Sequence, residues 1–322
     1  MRRFVACLIA LIILLSCFSS CAGRTVKDKP FVVCTSFVQY DWARQIIGNC
    51  QGVELTLLVK DGKDMHSYSP SVSDMMNILE SDLLIYTGGV SEAWVEEFVK
   101  ENSLQSSLSL LDCLGEGVKH VEYSQGEAHD HTQQGHSEHT ELHSHGQIDE
   151  HIWLSLKNAT LFCERIKDGL CRVDKANAEI YKKNCEAYIT RLEALDNEYA
   201  NLVNGSQQKT VVVADRYPYR YLFDDYGITC YAAFLGCSSD SEVGFSTVIF
   251  LAEKMDSLGL GGIVITETSD GKLARTVSEN TKNKQAKIYT LHSLQSVANP
   301  ESESYLEGMR RNLDVLSALF CS

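Results

Sequence analysis

Six histidines, His129, His131, His136, His139, His143 and His145, crowd one polar run of seventeen residues. No apolar periodicity connects them, and Gly135 and Gly146 interrupt any helix, so residues 127–146 read as a water-loving loop. Neutral imidazole is the commonest side-chain ligand of zinc and related ions, and such a tract collects them weakly without folding around them. A solvated linker is the plain alternative. The run ends in Asp149-Glu150-His151-Ile152-Trp153-Leu154, whose apolar neighbours imply a packed chain, so His151 is a ligand candidate that can be held rigidly. His66 is the other, in Gly62-Lys63-Asp64-Met65-His66-Ser67-Tyr68-Ser69-Pro70, between a strand and a helix that Ser71 can cap. A lone histidine is usually structural, but two in strand-to-helix loops beside a metal-collecting tract point to a metal site.

Carboxylates at other strand ends can complete such a site. Val211-Val212-Val213-Ala214 leads into Asp215, and Ile263-Val264-Ile265-Thr266 leads into Glu267 and Asp270, while His292 also follows a strand. Each has a simpler alternative: Asp215 can pair with Arg216 or Arg220, and Asp270 can cap the next helix.

The elements that must position these residues alternate. Buried strands are expected at Phe31–Phe37, Val53–Val59 and Asp82–Tyr86, with helices at Val38–Ile47, Val72–Leu79 and Ser91–Val99, and shorter strands at Ser109–Leu111 and Val118–Tyr123. From Leu156 to Leu202 the pattern is helical. Within it Ala178, Tyr181, Cys185, Tyr188, Leu192, Leu195, Tyr199 and Leu202 keep spacings of three and four, which predicts one long amphipathic helix ending at Asn204-Gly205-Ser206. Alternation then resumes, with strands Thr210–Ala214, Ile228–Ala233, Gly262–Thr266 and Lys287–Leu291 and helices near Tyr219–Tyr226, Glu242–Leu258, Gly271–Thr281 and Ser304–Phe320. The expected class is α/β: two lobes of mainly parallel sheet flanked by helices, joined by one long rigid helix. The expected domains are a leader over 1–21, a first lobe over 30–171 carrying the loop 127–146, a linking helix over 172–205 and a second lobe over 206–322. Complete alternating units on both sides of the helix favour an internal strut in a monomer over a coiled-coil dimer.

Composition narrows the class. A 44% hydrophobic, 22% charged chain is an ordinary globular mix, and its formal charge of −14 disfavours nucleic acid and attracts cations. Met1-Arg2-Arg3 followed by the apolar run Phe4–Leu15 predicts an export signal, too short for a comfortable membrane span. Leu14-Leu15-Ser16-Cys17, with a poorer candidate ending at Cys21, is similar to a bacterial lipobox and implies lipid anchoring outside the membrane. No C-x-x-C pair is present; Cys163 and Cys185 fall at apolar helical positions, and Cys230 and Cys237 are a candidate disulfide.

His66-Ser67-Tyr68-Ser69-Pro70 fits His-x-[Tyr/Phe]-x-Pro, and Glu150-His151-Ile152-Trp153-Leu154 fits Asp-Pro-His-x-Trp-Leu with glutamate in place of proline. These motifs resemble those of the zinc and manganese solute-binding proteins of bacterial ABC importers, cluster A-I, over nearly the whole chain after the leader. The resemblance implies two lobes on one long helix, with the metal between them bound by two histidines of the first lobe, here His66 and His151. It further implies a third ligand near Ala214-Asp215-Arg216, with Asp215 as replacement for the family's histidine or glutamate, and Asp270 as the fourth, with Glu267 and His292 in reserve. Two imidazoles and two carboxylates suit manganese or iron as well as zinc, and the tract favours zinc. The resulting expectation is a lipid-anchored, non-catalytic receptor in the extracytoplasmic space, serving a membrane permease and its ATPase. A secreted metal-dependent hydrolase is the rival, but neither His-Glu-x-x-His nor Gly-x-Ser-x-Gly is present. An adhesin or a binder of organic metal chelates is a third reading.

Overall fold

The computed structural model describes residues 29–60, 62–104, 106–121, 148–234, 243–295 and 297–321. The leader, Cys17 and Cys21, the histidine tract and Cys237 lie outside the described residues. Two four-stranded parallel sheets share one strand order. The first runs β2-β1-β3-β4, from β1 (Phe31–Cys34), β2 (Glu54–Leu57), β3 (Leu83–Tyr86) and β4 (Ser107–Ser109). The second runs β6-β5-β7-β8, from β5 (Thr210–Val213), β6 (Thr229–Ala232), β7 (Gly262–Thr266) and β8 (Lys287–Leu291). In register, Val33 lies beside Thr56 and Leu84, and Val213 beside Ala232 and Val264.

Apart from Thr210 and Thr266 at strand ends, the central strands carry no polar side chain but Tyr86, because both faces are covered, as parallel sheets require. Val32 and Cys34 of β1 face a core that continues into the second lobe, while Phe31 and Val33 face a separate outer cluster with Ile78, Leu84 and Val95. Val211 and Val213 likewise face the shared core, and Val212 and Ala214 the second lobe's outer cluster.

The helices of the first lobe are α1 (Phe37–Ile47), α2 (Val72–Glu80), α3 (Ala93–Glu101), α4 (Leu110–Leu114) and α5 (Leu156–Val173); α6 (Ala178–Gly205) follows them. The second lobe adds α7 (Arg220–Tyr226), α8 (Phe245–Leu258), α9 (Lys272–Asn280) and α10 (Tyr305–Phe320). The helical stretch from Leu156 is thus two helices. Asp174 leaves helical geometry at φ −130° and ψ 79°, and its carboxylate accepts bonds from Asn177 Nδ2 (2.7 Å) and Tyr181 Oη (2.6 Å). The strut α6 therefore starts at Ala178, later than 172. Tyr181, Cys185, Tyr188, Leu192, Leu195, Tyr199 and Val203 are its buried stripe. Cys163 and Cys185 sit fully buried in the same core, and the described cysteines are free thiols.

Two short strand expectations change. Strand β4 ends at Ser109, whose hydroxyl accepts from Asp112 N and caps α4, so Leu110 and Leu111 are helical. Between Val118 and Val121 there is no strand, only a single antiparallel bridge from His120 to Ile148.

The lobes meet closely. Asp41 of α1 is fully buried and accepts from Tyr305 N at the start of α10 (2.8 Å), while Arg44 donates to the carbonyls of Pro300 (3.0 Å) and Glu303 (2.6 Å). Lys119 N also donates to Tyr221 Oη (2.7 Å) and Ser155 Oγ to Asp225 (2.6 Å).

Candidate metal centre

In an open parallel sheet the crevice lies outside the strand carboxyl ends where the order reverses, here between β1 and β3 and between β5 and β7. The loops leaving these strands face one another. His66 sits on a 3₁₀ turn (Met65–Ser67) capped by Asp64, whose Oδ1 accepts from His66 N at 3.0 Å. The buried Met65 anchors the turn, and His66 itself is exposed. His66 Nδ1 lies 2.6 Å from Ser91 Oγ; when the ring donates there, Nε2 carries the lone pair.

His151 is 4% exposed, on the entry to a 3₁₀ turn (Ile152–Leu154) that is wholly buried. Asp149 Oδ1 is 2.8 Å from His151 Nδ1 and accepts from His151 N at 3.0 Å. A carboxylate can only accept, so the proton belongs on Nδ1 and the Nε2 lone pair is the one offered to an electrophile. The two imidazole centroids are 6.0 Å apart at an interplanar angle of 49°. Trp153 stacks at a tilt 5.3 Å from His151 and donates Nε1–H to Ser293 O of the second lobe at 2.7 Å, while Tyr305 Oη donates to Trp153 O at 2.6 Å. The His151 loop is thereby held by both lobes. On the reading of His151 as a ligand, replacing Asp149 by asparagine is expected to weaken metal binding by about 10–100-fold, as loss of an orienting carboxylate typically does. Calorimetric titration checks this, and unchanged affinity would mean that the carboxylate orients nothing.

The loop after β3 supplies groups that sequence reasoning passed over. Glu150 Oε1 accepts from Ser91 N at 2.8 Å, and Gly89, at φ +88°, lies against the Glu150 side chain, where an added Cβ would come within 2.8 Å of Cγ. A side chain there would both strain the backbone and push Glu150 away. Glu92, 1% exposed, accepts from Thr87 N (2.6 Å) and Gly88 N (2.9 Å) and lines a small cavity with His66, Ser91, Glu150, Trp153 and, from the second lobe, Gln295. Burial pushes the Glu92 carboxyl up from 4.5 to about 7; the Glu150 carboxylate adds to this and the loop N–H groups oppose it. A raised carboxyl pKa favours the fold below the unfolded-state value, and that advantage is lost as pH rises through about 7. Glu92→Gln should therefore match wild type near pH 4 and gain about 2–3 kcal/mol above pH 7, read from denaturant midpoints. A constant difference across that range would exclude the buried carboxyl as its source.

The second-lobe candidates are engaged in other contacts. Asp215 Oδ2 accepts from Thr266 N (3.0 Å) and Oγ1 (2.9 Å), and Oδ1 accepts from Arg216 N (2.8 Å), tying the end of β5 to β7. Glu267 accepts from Ser293 N (2.9 Å) and Oγ (2.6 Å). Asp270, with a side chain 60% exposed, accepts from Lys272 N (2.9 Å) and pairs with Lys272 Nζ (2.6 Å), which holds its carboxyl below the usual range. Asp270 stands one residue ahead of Gly271, the N-cap of α9. His292 is clamped through its backbone, N–H to Asn312 Oδ1 and C=O from Asn312 Nδ2, both 2.8 Å. The structure thus brings His66 and His151 together and leaves Asp215, Glu267 and Asp270 on local partners. Among the described residues no group of three or more His, Cys, Asp or Glu side chains is gathered as a metal site.

Comparison with known proteins decides the family. The model of the zinc-uptake complex component A periplasmic family matches residues 32–319. The chain belongs to this family. It is 27% identical over 295 residues to the zinc-binding protein AdcA of Streptococcus pyogenes, covering 90% of this chain and 56% of that protein. The chain thus spans little more than half of the first curated relatives it matches. The manganese ABC transporter substrate-binding lipoprotein PsaA of Streptococcus mitis is 27% identical over 317 residues, covering 96% of this chain and 95% of its own. Among solved structures, the metal-dependent lipoprotein YcdH of Bacillus subtilis superposes with a TM-score of 0.71 at 23% identity, covering 90% of this chain and 99% of that one, a likeness of fold. Family membership accounts for the paired sheets, the strut and the facing loops.

Proposed function

We propose that this chain is the extracytoplasmic solute-binding component of an ABC importer, capturing a divalent transition metal between its lobes. His66 and His151 are the first-lobe ligands. The observation that carries this is the carboxylate-backed imidazole of His151, 6.0 Å ring to ring from His66, at the crevice where an open sheet binds its ligand. Zinc is favoured over manganese or iron, supported by the histidine tract, by the family's description and by the zinc-binding relative; the manganese relative keeps the alternative open. Asp215 and Asp270 are the further ligands, with Glu267 and His292 in reserve, and recruiting a carboxylate requires releasing Thr266, Lys272 or Ser293. Anchoring through a lipid on Cys17 or Cys21 and delivery to a permease and its ATPase complete the reading, with the chain acting as a monomer. It binds and releases its cargo and catalyses nothing.

Competition calorimetry with zinc and manganese on the leader-less protein, beside a variant lacking residues 127–146, tests this. One tight ion per chain that survives the deletion supports the interlobe site and identifies the metal. Weak, multiple binding that vanishes with the tract would sink it. As pH falls, protons compete for the imidazoles and affinity should drop.

A further inference from the structure

The second lobe presents a cation to the His66 turn. Arg216 Nη1 lies 3.6 Å from Asp64 Oδ2, across the cleft, and Gln295 Nε2 donates to Asp64 Oδ1 at 3.2 Å. Arg216 and Asp64 line one small cavity with Thr266, Ser293 and Gln295, and Gln295 also lines the cavity holding His66. The base of the arginine is fixed, because Arg216 N donates to Asp215, which Thr266 holds. Asp64 in turn accepts from His66 N. One carboxylate therefore positions the histidine turn and faces the guanidinium of the opposite lobe.

The pair adds little to stability as such, since both side chains are about one-third exposed, 34% and 38%. Its consequence is electrostatic. A divalent ion entering beside His66 meets the positive charge of the guanidinium and competes with it for the field of Asp64.

We infer that Arg216 is the affinity-limiting and release-promoting residue of the cleft, an internal cation that trades places with the cargo at Asp64. This rests on the reading of His66 and His151 as first-lobe ligands. Capture then costs the Arg216–Asp64 contact between the lobes, and reforming that contact helps to expel the ion. The cleft holds its cargo less tightly than its histidines alone would, which suits a carrier that must hand the ion on.

The test is zinc affinity, by competition with a chromophoric chelator, and zinc release rate for the leader-less protein, Arg216→Gln and Arg216→Lys. Charge removal should tighten binding by at least about tenfold and slow release, an advantage that shrinks at high salt, whereas lysine should stay near wild type. A glutamine variant that folds normally but binds no tighter than wild type would overturn the inference while leaving the histidine site standing. A wild type without one-to-one zinc binding would overturn both, and His66→Ala measured in parallel shows whether the site under study is the cleft.

Discussion

Replacing His66 and His151 together by alanine is expected to abolish tight, one-to-one metal binding while leaving the fold intact. The two imidazoles are the only candidate ligands that the structure brings face to face among the described residues, at 6.0 Å between centroids. Loss of an orienting carboxylate alone typically costs about 10–100-fold, so loss of both rings should cost well beyond about 100-fold. His66 is exposed and its removal leaves the packed core untouched; His151 is buried, and its single replacement serves as the stability control. The readout is stoichiometry and affinity in competition calorimetry, with circular dichroism of the metal-free variant. Retention of one tight ion by the double variant would place the site elsewhere, and weak residual binding of several ions is the expected signature of the tract alone.

The second large effect concerns Asp41. Its carboxylate has no exposure, yet it accepts from Arg44 Nη2 (2.6 Å), Gln45 Nε2 (3.2 Å) and Tyr305 N (2.8 Å), the last at the amino end of α10 where a negative charge is favoured. Asp41→Ala would leave the half-buried guanidinium with only the more distant Glu301 carboxylate (3.8 Å) and orphan a helix N–H, a cost of about 2–3 kcal/mol. Urea unfolding measures it, and a loss under about 1 kcal/mol would show that solvent replaces the carboxylate without penalty. Because Arg44 also reaches three carbonyls between Pro300 and Glu303, the same substitution should loosen the second-lobe segment against α1.

Much of the architecture was legible in the chain because apolar runs bounded by turn residues leave little choice. Gly262–Thr266 and Lys287–Leu291 are strands at the expected bounds, and the buried stripe of the strut follows Tyr181, Cys185, Tyr188, Leu192, Leu195 and Tyr199 as the spacing requires. The break at Asp174 was not legible, since a single aspartate fits a helical pattern as well as a cap, and its partners Asn177 and Tyr181 show only in the fold. Strand β1 is shorter than read because Thr35 and Ser36 turn back to Gln39, whose side chain accepts from both backbone N–H groups at 3.1 and 3.0 Å. In the cleft, His66 and His151 stood out by residue type and apolar company. Asp64, Ser91, Glu92 and Arg216 did not, because their importance comes from partners distant in sequence: Arg216 was weighed only against Asp215, which in the fold takes its backbone N–H while its guanidinium crosses to Asp64.

The continuous core carries one more consequence. Residues of both lobes and of the strut belong to a single apolar cluster, crossed by bonds such as Tyr199 Oη to Met309 O (2.6 Å) and Tyr305 Oη to Trp153 O (2.6 Å). Swinging one lobe wide of the other would wet that cluster, so in the proposed role loading is expected to proceed by small slides at the rim. The heat capacity of ion capture should accordingly be close to zero, since little apolar surface changes its contact with water. In the proposed role, a permease that distinguishes the loaded from the empty protein would then read a few displaced side chains at the cleft mouth rather than a change of overall shape.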